Sequence, residues 1–258
     1  MQLLAKLSII AVATGSLVLG VFALPTDNTL ETRAAAMVYT KCTKPNTVAL
    51  TFDDGPYYYS YDISKALIAA GGKGTFFLNG NNFGCIYDGD NAKRVKYLYD
   101  KGHQIASHTW SHANLSTLSW DQVHDEMWRV ELAMKKIAGV VPAFMRPPYD
   151  NVKNVAGARG QSIAMWDFDN QDSLGASPAQ SKQLYDEAIA KRPSTILALN
   201  HEVHERTAHE VVPYAINKLT AAGYKLVTLA ECLGDKPAYQ SVGKPSLRDV
   251  SSLVLLIS

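Results

Sequence analysis

From residue 46 onward, short runs of β-branched and aromatic residues alternate with stretches in which Ala, Leu and Lys recur at helical spacing. Period-two and uninterrupted apolar runs predict strands at 47–52, 74–78, 104–107, 143–146, 162–166, 195–199 and 225–229. Between them the amphipathic pattern predicts helices, among them 60–70, 120–137, 179–191 and 209–222, with Ser119 placed as a cap for the second of these. No Pro- or Ser-rich tract divides the series. Strictly alternating strands and helices favour one domain, a parallel α/β barrel or barrel-like fold, over a doubly wound open sheet.

The polar residues fall in a regular place. The first predicted strand runs into Asp53 and Asp54, the third into His108 and His112, the fourth into Arg146, the fifth into Asp167 and Asp169, and the sixth into His201. Each group lies at a carboxyl end, and in a parallel barrel those ends meet on one face. Residues far apart in sequence are therefore expected to form one cluster.

Their chemistry suits hydrolysis. Successive strand side chains point to opposite sides, so Asp53 and Asp54 are expected in different environments, one on a metal and its neighbour free to act as a base. His108 and His112, four residues apart, read as two imidazoles on one helical face that reach a single ion. Two histidines and a carboxylate leave a coordination position open for water, as in hydrolytic metal centres. Asp53 is placed to take a proton from water, His201 to give one to a leaving amine, and Arg146 or the acids around Trp166 to orient them. A metalloprotease reading of His201-Glu202-Val203-His204 fails on spacing, since two zinc ligands on a helix stand four apart with the Glu beside the first.

Composition narrows the partners. Of 258 residues, 47% are hydrophobic and 19% charged, which excludes a disordered chain. The net charge of +1 supplies no field for nucleic acid or anionic lipid. Residues 1–23 carry one Lys before an apolar run that ends at Val21-Phe22-Ala23, the pattern of a secretory signal cut near Ala23. Gly15, Ser16 and Gly20 interrupt that run and no basic cluster follows, so stable membrane insertion is not expected. Residues 24–40 read as a pro-segment or loose arm, 41–235 as the catalytic domain and 236–258 as a tail. The apolar stretch from Leu253 to Ile257 in that tail is too short to span a bilayer. Of three cysteines, Cys42 and Cys232 flank the first and last predicted strands, neighbours when a barrel closes, and are expected to pair, with Cys85 left over. The Asn114-Leu115-Ser116 sequon is expected to stay mostly unglycosylated, its Asn engaged by local hydrogen bonds.

TFDDGP at 51–56, HTWSH at 108–112, RPPY at 146–149, WDFDNQD at 166–172 and ILALNH at 196–201, in this order, closely resemble the motifs of the polysaccharide deacetylases, carbohydrate esterase family four. The likeness is greatest to the secreted fungal chitin deacetylases and spans roughly 46–232. It implies a distorted parallel (β/α) barrel and removal of N-acetyl groups from chitin or chitooligosaccharides, with a divalent metal, Zn2+ or Co2+. It further implies Asp54, His108 and His112 as metal ligands, Asp53 as general base held by Arg146, and His201 as general acid tuned by Asp172. Tyr149 (through its N–H), Leu199 and Trp166 are implied on the substrate. A secreted or cell-wall monomer is expected. After Tyr149 the family continues with Gly and a short Asn-containing loop, whereas Asp150-Asn151-Val152 follows here; after Asp172 stands Ser173, where bacterial relatives often have Trp. A catalytically impaired chitin-binding relative and a deacetylase of another acetylated polysaccharide are the alternatives.

Overall fold

A computed structural model describes residues 36–148 and 159–246. Among these residues, nine strands form one sheet in which every ladder is parallel. Its spatial order runs β1 (Val38–Tyr39), β7 (Ser162–Ala164), β6 (Phe144–Met145), β4 (Gln104–Ser107), β3 (Thr75–Leu78), β2 (Thr47–Gly55), β9 (Thr195–His201) and β8 (Phe168–Asp169). β10 (Lys225–Leu226) is added beside the start of β2. β1 and β8 end the order, and the chain from β7 to β8 bridges them: Met165 N–H donates to Tyr39 O (2.8 Å) and Asp167 N–H to Leu197 O (3.1 Å). This is the barrel-like parallel fold expected from the alternation, with the distortion that the resemblance implies.

Alternation along each strand sorts the core into two layers. Val48, Leu50 and Phe52 of β2, with Phe76, Leu78, Ile105, Ile196 and Ala198, pack outward under the helices. Ala49, Phe77, Ala106, Phe144, Ala164 and Leu197 form a second cluster inside the barrel. Thr51 and Asp53, Arg146, His108 and His201 continue the inward-facing rows past the last apolar residue, so the functional side chains are the top layer of the interior.

Among the described residues the α-helices are α1 (Ser60–Ala69), α2 (Gly89–Asp100), α3 (Trp120–Ala138), α4 (Pro178–Ala190), α5 (Val212–Ala221) and the short α6 (Leu229–Cys232). Ser119 caps α3 in a reciprocal box with Gln122, and Gly139 closes it at φ 79°. The expected strand at 225–229 stops at Leu226, because α6 takes over to seal the lower barrel end: Leu229 N–H donates to Thr75 Oγ1 and Ala230 N–H to Gln104 Oε1, both at 2.8 Å. Cys42 and Cys232 are joined there, as expected, and Cys85 is free. β5 (Val140–Pro142) pairs antiparallel with β11 (Tyr239–Val242), so the chain just beyond residue 235 is tied to the fold. No helix of the described residues is long and apolar enough to cross a membrane.

Candidate active site

The ladder between β2 and β9 runs on to the Asp53–His201 pair, so base and acid candidates stand on strands rather than in loops. Asp53 is 3% exposed and its Oδ1 lies 2.8 Å from Arg146 Nη1. Asp54 takes φ 74°, a left-handed conformation that acidic residues tolerate better than most, and its Oδ1, like Asp53 Oδ2 at 3.7 Å, comes up to His108 Nε2, so the two acids are told apart by their other partners. Asp54 Oδ1 lies 3.3 Å from His112 Nε2 and 3.5 Å from His108 Nε2, and Asn82 Nδ2 donates to it at 3.3 Å. The adjacent acids do occupy different environments.

His108 and His112 share a loop rather than a helical face. Thr109 and His112 have φ values of 73° and 58°, and Asn79 Nδ2 donates to the carbonyls of His108 (2.6 Å) and Thr109 (3.0 Å), holding the chain in a tight bend. The expected spacing brings the rings together, 5.0 Å between centroids, but left-handed turns accomplish it. His108 Nδ1 lies 2.7 Å from the Arg146 carbonyl, which makes it the protonated nitrogen and leaves Nε2 for the cluster. Burial and the neighbouring His108 hold His112 below the usual imidazole pKa, which favours the neutral ring a metal requires. One ligand atom from each of Asp54, His108 and His112 lies within 4.8 Å of the others, so the triad fits a divalent cation.

Arg146 is wholly buried and uses every nitrogen: Nε donates to Ala164 O, Nη1 to Thr51 Oγ1 and Asp53, and Nη2 to Met165 O, each at 2.8 Å. Its guanidinium lies over Phe77 at 4.2 Å and 5.5 Å from the half-buried Trp166 ring. Burial lowers its pKa, and Asp53 opposes that shift. The cation thus fixes Asp53 and also closes the barrel where β7 gives way to β8.

On the other side of Asp53, His201 Nδ1 contacts Asp172 Oδ1 at 2.7 Å, and His201 N–H donates to Oδ2 at 2.9 Å. The Thr207 hydroxyl donates to the same Oδ2. Burial disfavours protonation of His201, but the Asp172 hydrogen bond and the charges of Asp53, Asp172 and Asp54 outweigh it and push its pKa up to about 9. Burial acts to raise the Asp172 pKa, yet the bond to His201 carries it below the usual carboxylate value. The imidazole is therefore held protonated, with Nε2 available to a substrate.

Leu199 is 5% exposed on β9, in register with Thr51 and Asp169. Tyr149 lies outside the described residues. Asp167 does not join the cluster: its carboxylate accepts the Leu197 N–H at 2.7 Å and serves the sheet. Asp169 accepts the Gln171 N–H and acts on Arg146 only through its charge. His204 has no part in the triad, which disposes of the metalloprotease reading. Thr51, Asn82 and Thr207 are site residues absent from the sequence expectations. Thr51 was findable, two residues before Asp53 on the same strand face, whereas Asn82 and Thr207 carry no local signal.

A parallel barrel whose upper rim gathers a three-ligand cluster, an Arg-bound carboxylate and a His–Asp pair defines a centre for hydrolysis. A polysaccharide deacetylase family model matches residues 40–164. A chitin deacetylase of Pestalotiopsis is 39% identical over 218 residues, 80% of this chain and 70% of that protein. The structure of the chitin deacetylase from Colletotrichum lindemuthianum matches with a TM-score of 0.76 at 31% identity, over 81% of this chain and 98% of that one. A pseudoenzyme of the family from Bacillus anthracis shares the fold as well, with a TM-score of 0.66 at 23% identity over 77% of this chain and 69% of that one. The chain belongs to the polysaccharide deacetylase family, carbohydrate esterase family four.

Proposed function

We propose that this protein is a secreted, metal-dependent chitin deacetylase that hydrolyses the acetamide of N-acetylglucosamine units in chitin or chitooligosaccharides, giving acetate and a free amine. The observation that carries the reading is the convergence of the Asp54, His108, His112 triad with Asp53–Arg146 on one flank and His201–Asp172 on the other. Asp53 Oδ2 lies 3.7 Å from His108 Nε2, so the base stands against the ligand cluster.

Asp54, His108 and His112 would hold zinc or another divalent ion such as cobalt, which when bound makes a coordinated water more acidic and polarises a carbonyl. Asp53 takes the proton from the attacking water, and Arg146 keeps that carboxylate oriented. As the carbon–nitrogen bond breaks, His201 delivers a proton to the amine nitrogen, and Asp172 fixes the tautomer that points Nε2 at it. Leu199 supplies an apolar wall for the acetyl methyl group and the Tyr149 N–H a donor for the oxyanion, with Trp166 beside Arg146 on the substrate side. Exposed Tyr58 and Phe83 flank Tyr57 in an aromatic group that begins two residues after Gly55, a surface on which the apolar faces of sugar rings pack. The signal-like start of the chain and the Cys42–Cys232 bridge support secretion.

Acetate release from N-acetylglucosamine oligomers tests the reading. Turnover that stops with a chelator and returns with zinc or cobalt is expected. Full turnover in a metal-free preparation, or binding of the oligomer with no acetate released by the metal-loaded protein, overturns it.

A further inference from the structure

Glu202 follows His201 at the end of β9, is wholly buried, and takes no part in the steps above. Its N–H donates to Asp53 O at 3.2 Å, which fastens the two strand ends together. Alternation turns its side chain away from that of His201 and under the turn that leaves β2. There the Glu202 carboxyl group occupies the space a side chain at position 55 would need: Oε1 lies 1.4 Å and Cδ 2.4 Å from the place of a Cβ on Gly55. Gly55 is not in the left-handed region, so backbone conformation does not demand glycine there. Glu202 does.

Neither carboxyl oxygen has a hydrogen-bond partner of normal geometry, and the Ser60 hydroxyl and Tyr57 N–H that face it offset its burial only in part. The neighbouring Ser60 hydroxyl donates to Tyr57 O (2.7 Å) and accepts from Tyr57 N–H (3.2 Å), so both nearby groups are already engaged with each other. Burial pushes the Glu202 pKa up to about 8, which keeps the group an uncharged acid near neutrality. An apolar residue would fill a core position at less cost, so a buried carboxyl group with only weak polar partners calls for a role.

We propose that Glu202 is a positioning residue for the Asp53–Asp54 turn: its carboxyl group wedges against Gly55 and sets the directions of the two preceding carboxylates. Asp54 must reach two imidazoles at 3.3 and 3.5 Å while Asp53 stays on Arg146 at 2.8 Å, and a small rotation of the turn breaks one set or the other. The role in turnover rests on the deacetylase reading, whereas the role in shaping the ligand cluster does not.

The test uses the full chain and two readouts, zinc affinity by competition with a chromophoric chelator and kcat and KM on a chitooligosaccharide. Glu202→Gln, of the same shape and uncharged, should stay within about threefold of wild type in both. Glu202→Ala should weaken zinc binding about 10- to 100-fold and lower kcat by a similar factor with KM little changed. Gly55→Ala alone should bind no zinc, and Gly55→Ala combined with Glu202→Ala should regain binding, because the severe overlap is gone and only the flexible end of Leu78, 3.0 Å from the new Cβ, has to give. If Glu202→Ala only lowers the melting temperature and keeps zinc affinity within threefold, the side chain merely fills space and the proposal fails. It fails also if the double variant binds zinc no better than Gly55→Ala. Should wild type bind zinc yet release no acetate, the deacetylase reading falls, and the zinc affinities of the variants still decide this one.

Discussion

Replacing Asp172 with Asn removes the charge that holds His201 protonated and disturbs four hydrogen bonds. His201 Nδ1 and Ser173 N–H meet Oδ1 at 2.7 and 2.9 Å, while His201 N–H and the Thr207 hydroxyl meet Oδ2, both at 2.9 Å. An amide has one acceptor oxygen, so in either orientation its NH2 faces a backbone N–H that cannot reverse. A carboxylate in contact shifts a partner's pKa by about 1–3 units, so the value near 9 for His201 should fall by that amount. A drop of about 2 units corresponds to about 2.7 kcal/mol and takes the protonated fraction at pH 8 from about nine-tenths to about one-tenth. At pH 6 both forms are almost fully protonated, and the remaining deficit measures misorientation of the ring. The assay is kcat/KM for oligomer deacetylation from pH 5 to 10, whose alkaline limb reports the acid in the free enzyme. A limb that moves by less than about 0.3 unit refutes the assignment, because the charge of Asp172 would then have no hold on the catalytic acid. Stability should follow the same sign. His201 binds its proton more tightly in the fold, so its share of the ion pair is complete below about pH 6.5 and lost as pH rises through about 9; the depressed Asp172 value removes that share again as the carboxylate protonates in acid. The melting-temperature gap between wild type and Asp172→Asn should therefore be largest near pH 6 and narrow toward pH 9.

Asp54→Ala should lose bound metal by elemental analysis, whereas Asp53→Asn should keep it and lose about 10²- to 10⁴-fold in kcat; equal metal loss in both would show the pair assigned the wrong way round. The Cys42–Cys232 bridge closes a loop of 190 residues, so replacing both cysteines with Ala should cost about 3–5 kcal/mol in urea unfolding, and an unchanged midpoint would mean the bridge does not constrain the unfolded chain. Asn114 Oδ1 already accepts from Ser116 N–H (3.1 Å) and the Ser116 hydroxyl (2.7 Å), so protein secreted from a eukaryotic host should be mostly unglycosylated there, and a dominant glycoform in the intact mass would contradict this.

Much of this molecule is legible without coordinates because its signals are local. The run TVALTFDDG alternates between the two core layers and carries Asp53 on the inward face, which any sheet built from this strand must respect. The Ser119 and Gln122 cap, the βα alternation and the polar residues at the strand ends are of the same kind, and they suffice for a barrel and a clustered hydrolytic site. β1 and β8 are two residues each, too short to show any period, and the pairing of β5 with β11 joins segments about 100 residues apart.

Tertiary structure alone decided the directions. HTWSH holds two imidazoles at a helical spacing, yet left-handed backbone at Thr109 and His112, fixed by Asn79 just beyond the end of β3, makes them converge. Asp167 and Asp172 look alike in WDFDNQD, but Leu197 takes the first into the sheet and His201 takes the second into the site. Glu202 looks like a surface acid beside a histidine until Gly55 is found beneath it. Periodicity depends on residues a few positions apart, so the chain carries it wherever it goes. Which side chain meets which at the barrel rim depends on strand order and loop turns, and these exist only when the barrel has closed.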